Sequence, residues 1–513
     1  MGEAEPVGTA RLAVRRVPPR EVVMLVAVLA LAAALRLWGL GTKSFWLDEI
    51  LAVERSRSLR QAVMYCATGH EPPLRYYLLH YLTQFDPPEL FARLPSFLLG
   101  VATVGLLWVL ARTLFGVRVA IVAAFLLAVS PWHIVHSQDA RMYAVMMFFW
   151  VLSLLLLFRA LERPAQPLWW PALAVVHAVN FYLSYLTFFV LAAEILTLVG
   201  WVAVRKWREG ERFAVKPYAV GALIFAGFFG LCILFWLHPL GAVVQRYLGV
   251  ETAGVEQRIW AVHESGRVNF PAEFDARFLG LVLDHLLMPG RGWRLVAILG
   301  ISAGLSLCWR RSRPFVWIAA LSFLIAVATI LFTEMKHFVA PRYVFHLLLF
   351  AVIALAVAVV AAAEAVMTYT VREVRGTVAG ILLALVAVVA SFYAPGVLLH
   401  VRAEHQDWRS ACRFLAEHAA PDDVIITGPW GTHLAVLYYG EPVLTESHAI
   451  INCLTAERTA DEIDRAAETA GVWYITWGYL PYELLLVVED KLESETRLPG
   501  LRGTIEIFGR PEP

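Results

Sequence analysis

The chain has 513 residues, 59% of them hydrophobic and only 17% charged, with a mean hydropathy of +0.64 and a formal net charge of +1. A soluble chain is nearer a quarter charged, so this composition excludes an ordinary soluble domain and indicates a polytopic membrane protein. The balanced charge, without a basic stripe, gives no footing for nucleic acid.

Residues 1–21 carry Arg11, Arg15, Arg16 and Arg20 and read as a cytoplasmic N-terminal arm. The apolar run 22–40 is long enough to cross a bilayer and has no clear small-residue cleavage site after it, so it is expected to persist as the first span. Further spans are expected at 94–111, 119–133, 142–158, 168–186, 187–204, 217–237, 293–309, 315–333, 343–363 and 377–394, about eleven in all. The segment 278–289 is too short to span and reads as interfacial. Positive charge falls in alternate loops: Arg112 and Arg118; Arg159 and Arg163; Arg205, Lys206, Arg208, Arg212 and Lys216; Arg310, Arg311 and Arg313; Arg372 and Arg375. Those loops are expected in the cytoplasm, which puts the other loops and the C-terminus outside.

From about residue 400 charge returns and the apolar runs shorten. Asp407 is placed to cap a helix to about 419. Strands are expected at 423–428, 472–477 and 504–508, and helices at 434–439, 455–469 and 481–495. That alternation predicts a small extracytoplasmic α/β domain over 400–513 with a mostly parallel sheet, below a membrane domain over 22–399. No GxGxxG or P-loop accompanies it. Five cysteines (66, 232, 308, 412 and 453) show no CxxC spacing, which speaks against a zinc or redox motif. Cys412 and Cys453 both fall in the outward domain, where a disulfide could persist.

Polar knots gather on the outward side. The first outer loop, 41–93, holds Trp46-Leu-Asp48-Glu49, then His70-Glu71-Pro-Pro-Leu-Arg75, and ends at Arg93-Leu-Pro-Ser. A second knot runs from His133 through His136, Asp139 and Arg141 to Tyr143. A third holds Arg246, Tyr247, Arg258 and His263. The last is Lys336-His337 with Pro341-Arg342-Tyr343. One arginine at a span end commonly snorkels to the interface. Four such groups on one face instead describe a pocket of carboxylates and cations at the membrane surface. No metal-ligand spacing is present, and His133 and His136 read as satisfied interface residues rather than ligands.

The order Trp46-Leu-Asp48-Glu49, Glu71-Pro-Pro-Leu-Arg75-Tyr-Tyr, Arg93-Leu-Pro-Ser and Ser137-Gln-Asp139-Ala-Arg141-Met-Tyr143 resembles the GT-C glycosyltransferases. The likeness is to the branch of protein O-mannosyltransferases and lipid A aminoarabinose transferases, and Pro341-Arg342-Tyr343 is a weaker echo. The resemblance implies inverting transfer of a sugar from a polyprenyl phosphate to an acceptor on the outer face of the cell membrane. The acceptor would be a hydroxyl or phosphate of a glycan, lipid or protein. It also implies Asp48 as base, with Glu49 and Asp139 as further acidic positions. Arg93, Arg141 and Arg342 would lie near the donor phosphate, and His70, Glu71, Arg75, Tyr143, Lys336 and Tyr343 would complete the binding site. Many lipid A transferases have Lys before the Pro-Pro pair, where this chain has Glu71, so the sugar stays open. No cofactor is implied with certainty, and a divalent metal is left open. A carboxylate that accepts the acceptor's proton and arginines that stabilise a departing phosphate agree with that chemistry. A transporter or flippase of a lipid-linked sugar is the alternative, and a non-enzymatic scaffold a third reading. A transporter should carry charge at midspan, whereas the polar groups here are expected at span ends.

Overall fold

The computed structural model describes residues 18–510 apart from 68–70, 238, 242–281, 284–293, 333–339, 370–392, 402, 404–405, 429–430, 454, 478–481 and 500–503. Nearly all of the expected span 377–394 and of the interfacial segment 278–289, the third polar knot, and His70 and Lys336 therefore lie outside the described residues.

Helices occupy the other ten expected span positions. They are α1 (Pro19–Leu37), α5 (Pro88–Phe115), α6 (Val117–Val129) with α7 (Pro131–Ser137), α8 (Tyr143–Glu162), α9 (Trp169–Leu183), α10 (Phe188–Glu209), α11 (Lys216–Ile233), α12 (Arg294–Arg311), α13 (Arg313–Phe332) and α14 (Leu347–Tyr369). Among the described residues six helices are long and apolar enough to cross a membrane, or seven if the bent α6–α7 pair counts as one span. Between α1 and α5 lie three nine-residue helices, α2 (Leu47–Arg55), α3 (Leu59–Ala67) and α4 (Leu74–Leu82). The main core is built on α5, which packs along α6 and α8, and on α14, which closes against α6.

One interruption shapes the end of the bundle that carries the polar knots. Pro131 has no N–H to continue α6, and the chain bends by 62° at Ser130. Ser130 caps α7 by accepting from the His133 N–H at 3.5 Å. The bend frees carbonyls of α6, and Arg36 from α1 takes them: its guanidinium donates to Ala128 O at 2.9 Å and Leu127 O at 3.0 Å. Its remaining donors go to Ala32 O, Ser137 Oγ and His133 Nδ1. A fully buried charge in the first apolar run is thus the patch over a broken helix. Gly100 lets α5 close on the same place, because a Cβ there would lie 2.3 Å from Ser137 Oγ.

Charge also occurs at midspan, contrary to the expectation that it keeps to span ends. Glu194 on α10 accepts from Ser153 Oγ on α8 at 2.6 Å and pairs with His177 Nε2 on α9 at 2.8 Å. All three are buried, and both carboxylate oxygens are occupied, which is how an ionisable group is tolerated between apolar helices.

The C-terminal segment forms α15 (Trp408–His418), β1 (Val424–Thr427), α16 (Thr432–Gly440), β2 (Ala449–Asn452), α17 (Ala456–Ala466), β3 (Val472–Trp477), α18 (Tyr482–Lys491), β4 (Glu493–Leu498) and β5 (Ile505–Arg510). The sheet order is β2-β1-β3-β5-β4. β1 pairs in parallel with β2 and β3, while β5 runs antiparallel to β3 and β4. The sheet is therefore evenly mixed rather than mostly parallel. The two strands missing from the sequence reading are its edges. β2 has only four residues, and β4 is the polar run Glu-Ser-Glu-Thr-Arg-Leu, which carries little strand signal. Ile425, Trp473 and Ile475 face one layer with Cys412, whereas Ile426, Tyr474 and Phe508 face the other with Cys453. The two thiols lie on opposite faces and are free, so the disulfide allowed by compartment is not formed.

Candidate active site

The loop from Gly39 to Trp46 is folded around one arginine. Arg93, on the second turn of α5 and 1% exposed, donates through all five N–H groups. Three reach carbonyls, of Leu40 at 3.1 Å, Lys43 at 2.8 Å and Ser44 at 2.9 Å. The other two form a fork on Glu49, at 2.9 and 2.6 Å. Glu49 is 0% exposed and accepts two further bonds, from Trp46 N at 3.1 Å and Ala140 N at 2.6 Å. As the third residue of α2, it reaches back to cap its own helix and at the same time joins α2 to the connection after α7.

This arrangement corrects two expectations. Arg93 has no donor left for a phosphate, and Glu49 has no exposed oxygen to offer a substrate. Each is used by the other. Asp139 belongs with them: fully buried, it accepts from the Trp46 indole at 3.1 Å and pairs with His136 at 3.1 Å. Tyr143 is likewise part of the wall, its ring against His136 at 4.7 Å and Phe345 at 6.4 Å.

What stays open is Asp48. Its side chain is 25% exposed, and Oδ2 lies 3.7 Å from Arg141 and 3.5 Å from Arg342. Arg141 is fixed by the Asp139–Ala140 connection, and its carbonyl accepts from Ser96 at 3.0 Å. Arg342 sits on the 3-10 turn Pro341–Val344, 5.8 Å above the Trp46 ring and 5.8 Å from that of Tyr343. Burial alone would favour losing the proton from both guanidiniums. Asp48 first, then Tyr143, outweighs it, and both are held above the ordinary arginine value.

Arg75 is the third cation. It is buried, bonded to Glu71 and Tyr76, with Met142 Sδ at 3.0 Å. Burial would raise the Glu71 carboxyl, but Arg75, then Arg141, holds it down to about 2. Glu71 stays ionised at neutral pH and is a weak base. The Nε groups of Arg75, Arg141 and Arg342 are buried and, among the described residues, have no hydrogen-bond partner. Such donors carry a free-energy cost unless something accepts from them. Arg75 and Arg141 also line a small, open cleft whose other walls include Leu78, Leu82, Val145 and Leu183. A cleft with two cations and aliphatic walls suits an anion attached to a hydrocarbon. Among the described residues no group of three His, Cys, Asp or Glu side chains is placed to hold a metal ion. His133 and His136 bond to different partners, Arg36 and Asp139.

Several residues of this region were not singled out in the sequence. Arg36 had a signal, since a charge inside a span needs a partner. Gln138 donates to the carbonyls of Arg36 and Trp38 at 2.7 and 2.6 Å and so fixes the exit from α1. Gln406 and Tyr439, which also hold the loop, had no signal at all.

With this geometry in place, comparison with known proteins places the fold. The chain superposes on the oligosaccharyltransferase AglB from Archaeoglobus fulgidus with a TM-score of 0.55 at 12% identity, covering 90% of this chain and 69% of that one. ArnT from Cupriavidus metallidurans in the apo state gives 0.49 at 15% identity over 95% and 97%. The chain therefore shares its fold with this oligosaccharyltransferase. Residues 70–234 match the family described as dolichyl-phosphate-mannose-protein mannosyltransferase, which agrees with the likeness to that branch read from the motifs. No curated protein sequence matches the chain.

Proposed function

We propose that this protein is an inverting glycosyltransferase that moves a sugar from a polyprenyl phosphate to an acceptor hydroxyl or phosphate at the outer face of the cell membrane. The observation that carries the reading is Asp48, an accessible carboxylate beside Arg141 and Arg342, whose Nε groups are buried without a partner among the described residues. Asp48 takes the proton from the acceptor as the new bond to the anomeric carbon forms. The sugar–phosphate bond breaks on the opposite face, and the arginines stabilise the charge gained by the departing phosphate. With no covalent sugar–enzyme step, the anomeric centre inverts. The cleft beside Arg75 and Arg141 suits the start of an isoprenoid chain, and the AglB structure was solved with a dolichol phosphate. The midspan charge a transporter would need is here closed on itself in the His177–Glu194 pair.

The test is to incubate the purified protein with a panel of radiolabelled polyprenyl-phosphate sugars and a membrane extract. Transfer from at least one donor is expected, and a protein that instead moves an intact lipid-linked sugar between leaflets sinks the reading. Topology is checked separately. A cysteine placed at Asp422, in the C-terminal segment, should label from outside intact cells, and one at Arg208, after α10, should not. The reverse pattern removes the site from the outer face.

Arg342 is assigned to the donor phosphate. Arg342→Lys keeps the charge but loses the two-pronged fork, so turnover should fall about 10- to 100-fold, the equivalent of one charged hydrogen bond. Folding should survive. An Arg342→Ala protein that turns over normally makes the residue an interfacial anchor only.

A further inference from the structure

The first four N–H groups of a helix have no partner within it, and those at the start of α2 immediately precede Asp48. Three consecutive amides there are each taken by a side chain. Trp46 N is held by Glu49, from within α2 itself. The other two are held by residues more than 350 positions later in the chain. Phe45 N donates to Tyr439 Oη at 2.5 Å, and Leu47 N donates to Gln406 Oε1 at 2.8 Å.

Both acceptors are themselves fixed. Gln406 is fully buried, and the same Oε1 accepts from the Trp408 indole at 3.0 Å. The Tyr439 hydroxyl passes its own proton to Glu89 on α5 at 3.0 Å. Arg409 binds Glu89 as well and donates to Thr42 O at 2.7 Å. The approach of α16 depends on Gly431. At φ 82° it sits in the left-handed region, and a Cβ there would come within 3.0 Å of Leu47 Cδ1. The C-terminal segment therefore meets the loop through polar bonds to its backbone and through close packing on Leu47.

We infer that the C-terminal α/β segment completes the catalytic site, with Gln406 and Tyr439 as positioning residues that fix the backbone at 45–47 and thereby aim Asp48. The inference rests on the reading of Asp48 as general base. The bonds described for them run to the 45–47 backbone, Trp408 and Glu89, so their loss should change the aim of the base and leave the phosphate contacts in place. A displacement of about 1 Å at a reacting group costs on the order of 10²-fold in rate.

The experiment uses the full-length protein with Gln406→Met, which removes the acceptor, Gln406→Glu, which keeps it, and Tyr439→Phe. Hydrogen exchange over residues 42–50 is read first, because it does not depend on the reaction. The Leu47 amide in Gln406→Met and the Phe45 amide in Tyr439→Phe should exchange at least about tenfold faster, with the spans unchanged and Gln406→Glu close to wild type. Unchanged exchange overturns the inference whatever the enzyme does. Turnover is read second. Gln406→Met and Tyr439→Phe should lower kcat about 10- to 100-fold with the KM for the lipid donor within about twofold, and neither should lower activity further in an Asp48→Asn background. Equal losses with and without Asp48 mean general destabilisation and overturn the positioning role. A wild-type protein that transfers no sugar defeats the functional reading instead, and the exchange measurement then decides whether the C-terminal segment holds this loop.

Discussion

Asp48→Asn is expected to lower sugar transfer by about 10²–10⁴-fold, the usual contribution of a positioned general base. The substitution keeps the size of the side chain and its capacity to hydrogen-bond, and removes only the proton acceptor. Stability should fall less than for Glu49→Gln, because the Asp48 carboxylate is part-exposed and the two arginines it faces stand at 3.5 and 3.7 Å, beyond a good hydrogen bond. Binding of the polyprenyl phosphate should persist, since the base faces the acceptor. The variant is assayed for turnover with the labelled donor and for retention on immobilised polyprenyl phosphate. Near wild-type turnover in a well-folded protein would move the base elsewhere, and neither Glu49 nor Asp139 has an exposed oxygen to serve.

Glu49→Gln should behave in the opposite way, although the two carboxylates are adjacent. It leaves the Arg93 charge buried with only carbonyl partners, and breaking a buried, fully bonded pair from one side costs about 3–5 kcal/mol. An amide in place of the carboxylate also presents an N–H to donors that need an acceptor: Arg93, Trp46 N or Ala140 N. The expected result is a large fall in thermal stability and in the yield of folded protein. Arg93→Lys should not be tolerated either, because a single ammonium cannot serve the two carboxylate oxygens and three carbonyls that the guanidinium serves. A Glu49→Gln protein that melts with the wild type in detergent would show that the pair holds nothing together.

The membrane architecture was legible because an apolar run of about 20 residues is its own signal, independent of what it packs against. Asp48 stood out as a carboxylate at the end of such a run, and its side chain is part-exposed in the structure. The division of labour between the charges was not legible. An arginine fork matches a phosphate and a carboxylate equally well, so Arg93 and Arg342 look alike in the sequence. Only the fold shows that Arg93 meets Glu49 and a turn of carbonyls while Arg342 keeps an Nε without a partner among the described residues. The same holds for Glu194 and His177. Each is a single polar residue in an apolar run, and their pairing is a property of how α9 lies on α10. Gln406 and Tyr439 are ordinary residues in an ordinary α/β segment, made important by a loop hundreds of residues away. The edge strands β2 and β4 were hidden for a different reason: an edge need be neither long nor apolar.

The patch that Arg36 makes over the break between α6 and α7 has a consequence for how the chain is made. When α1 leaves the ribosome, Arg36 has one carbonyl of its own helix, Ala32 O, within reach. Its other acceptors lie more than 90 residues downstream. Until they are synthesised, the guanidinium must stay hydrated at the membrane surface, which holds α1 shallow or tilted. The helix can settle to its final depth only when α6 arrives to receive the charge. The settling of α1 is thus completed by α6, and a nascent chain halted before Leu127 should leave α1 shallow in the bilayer or slipping out of it.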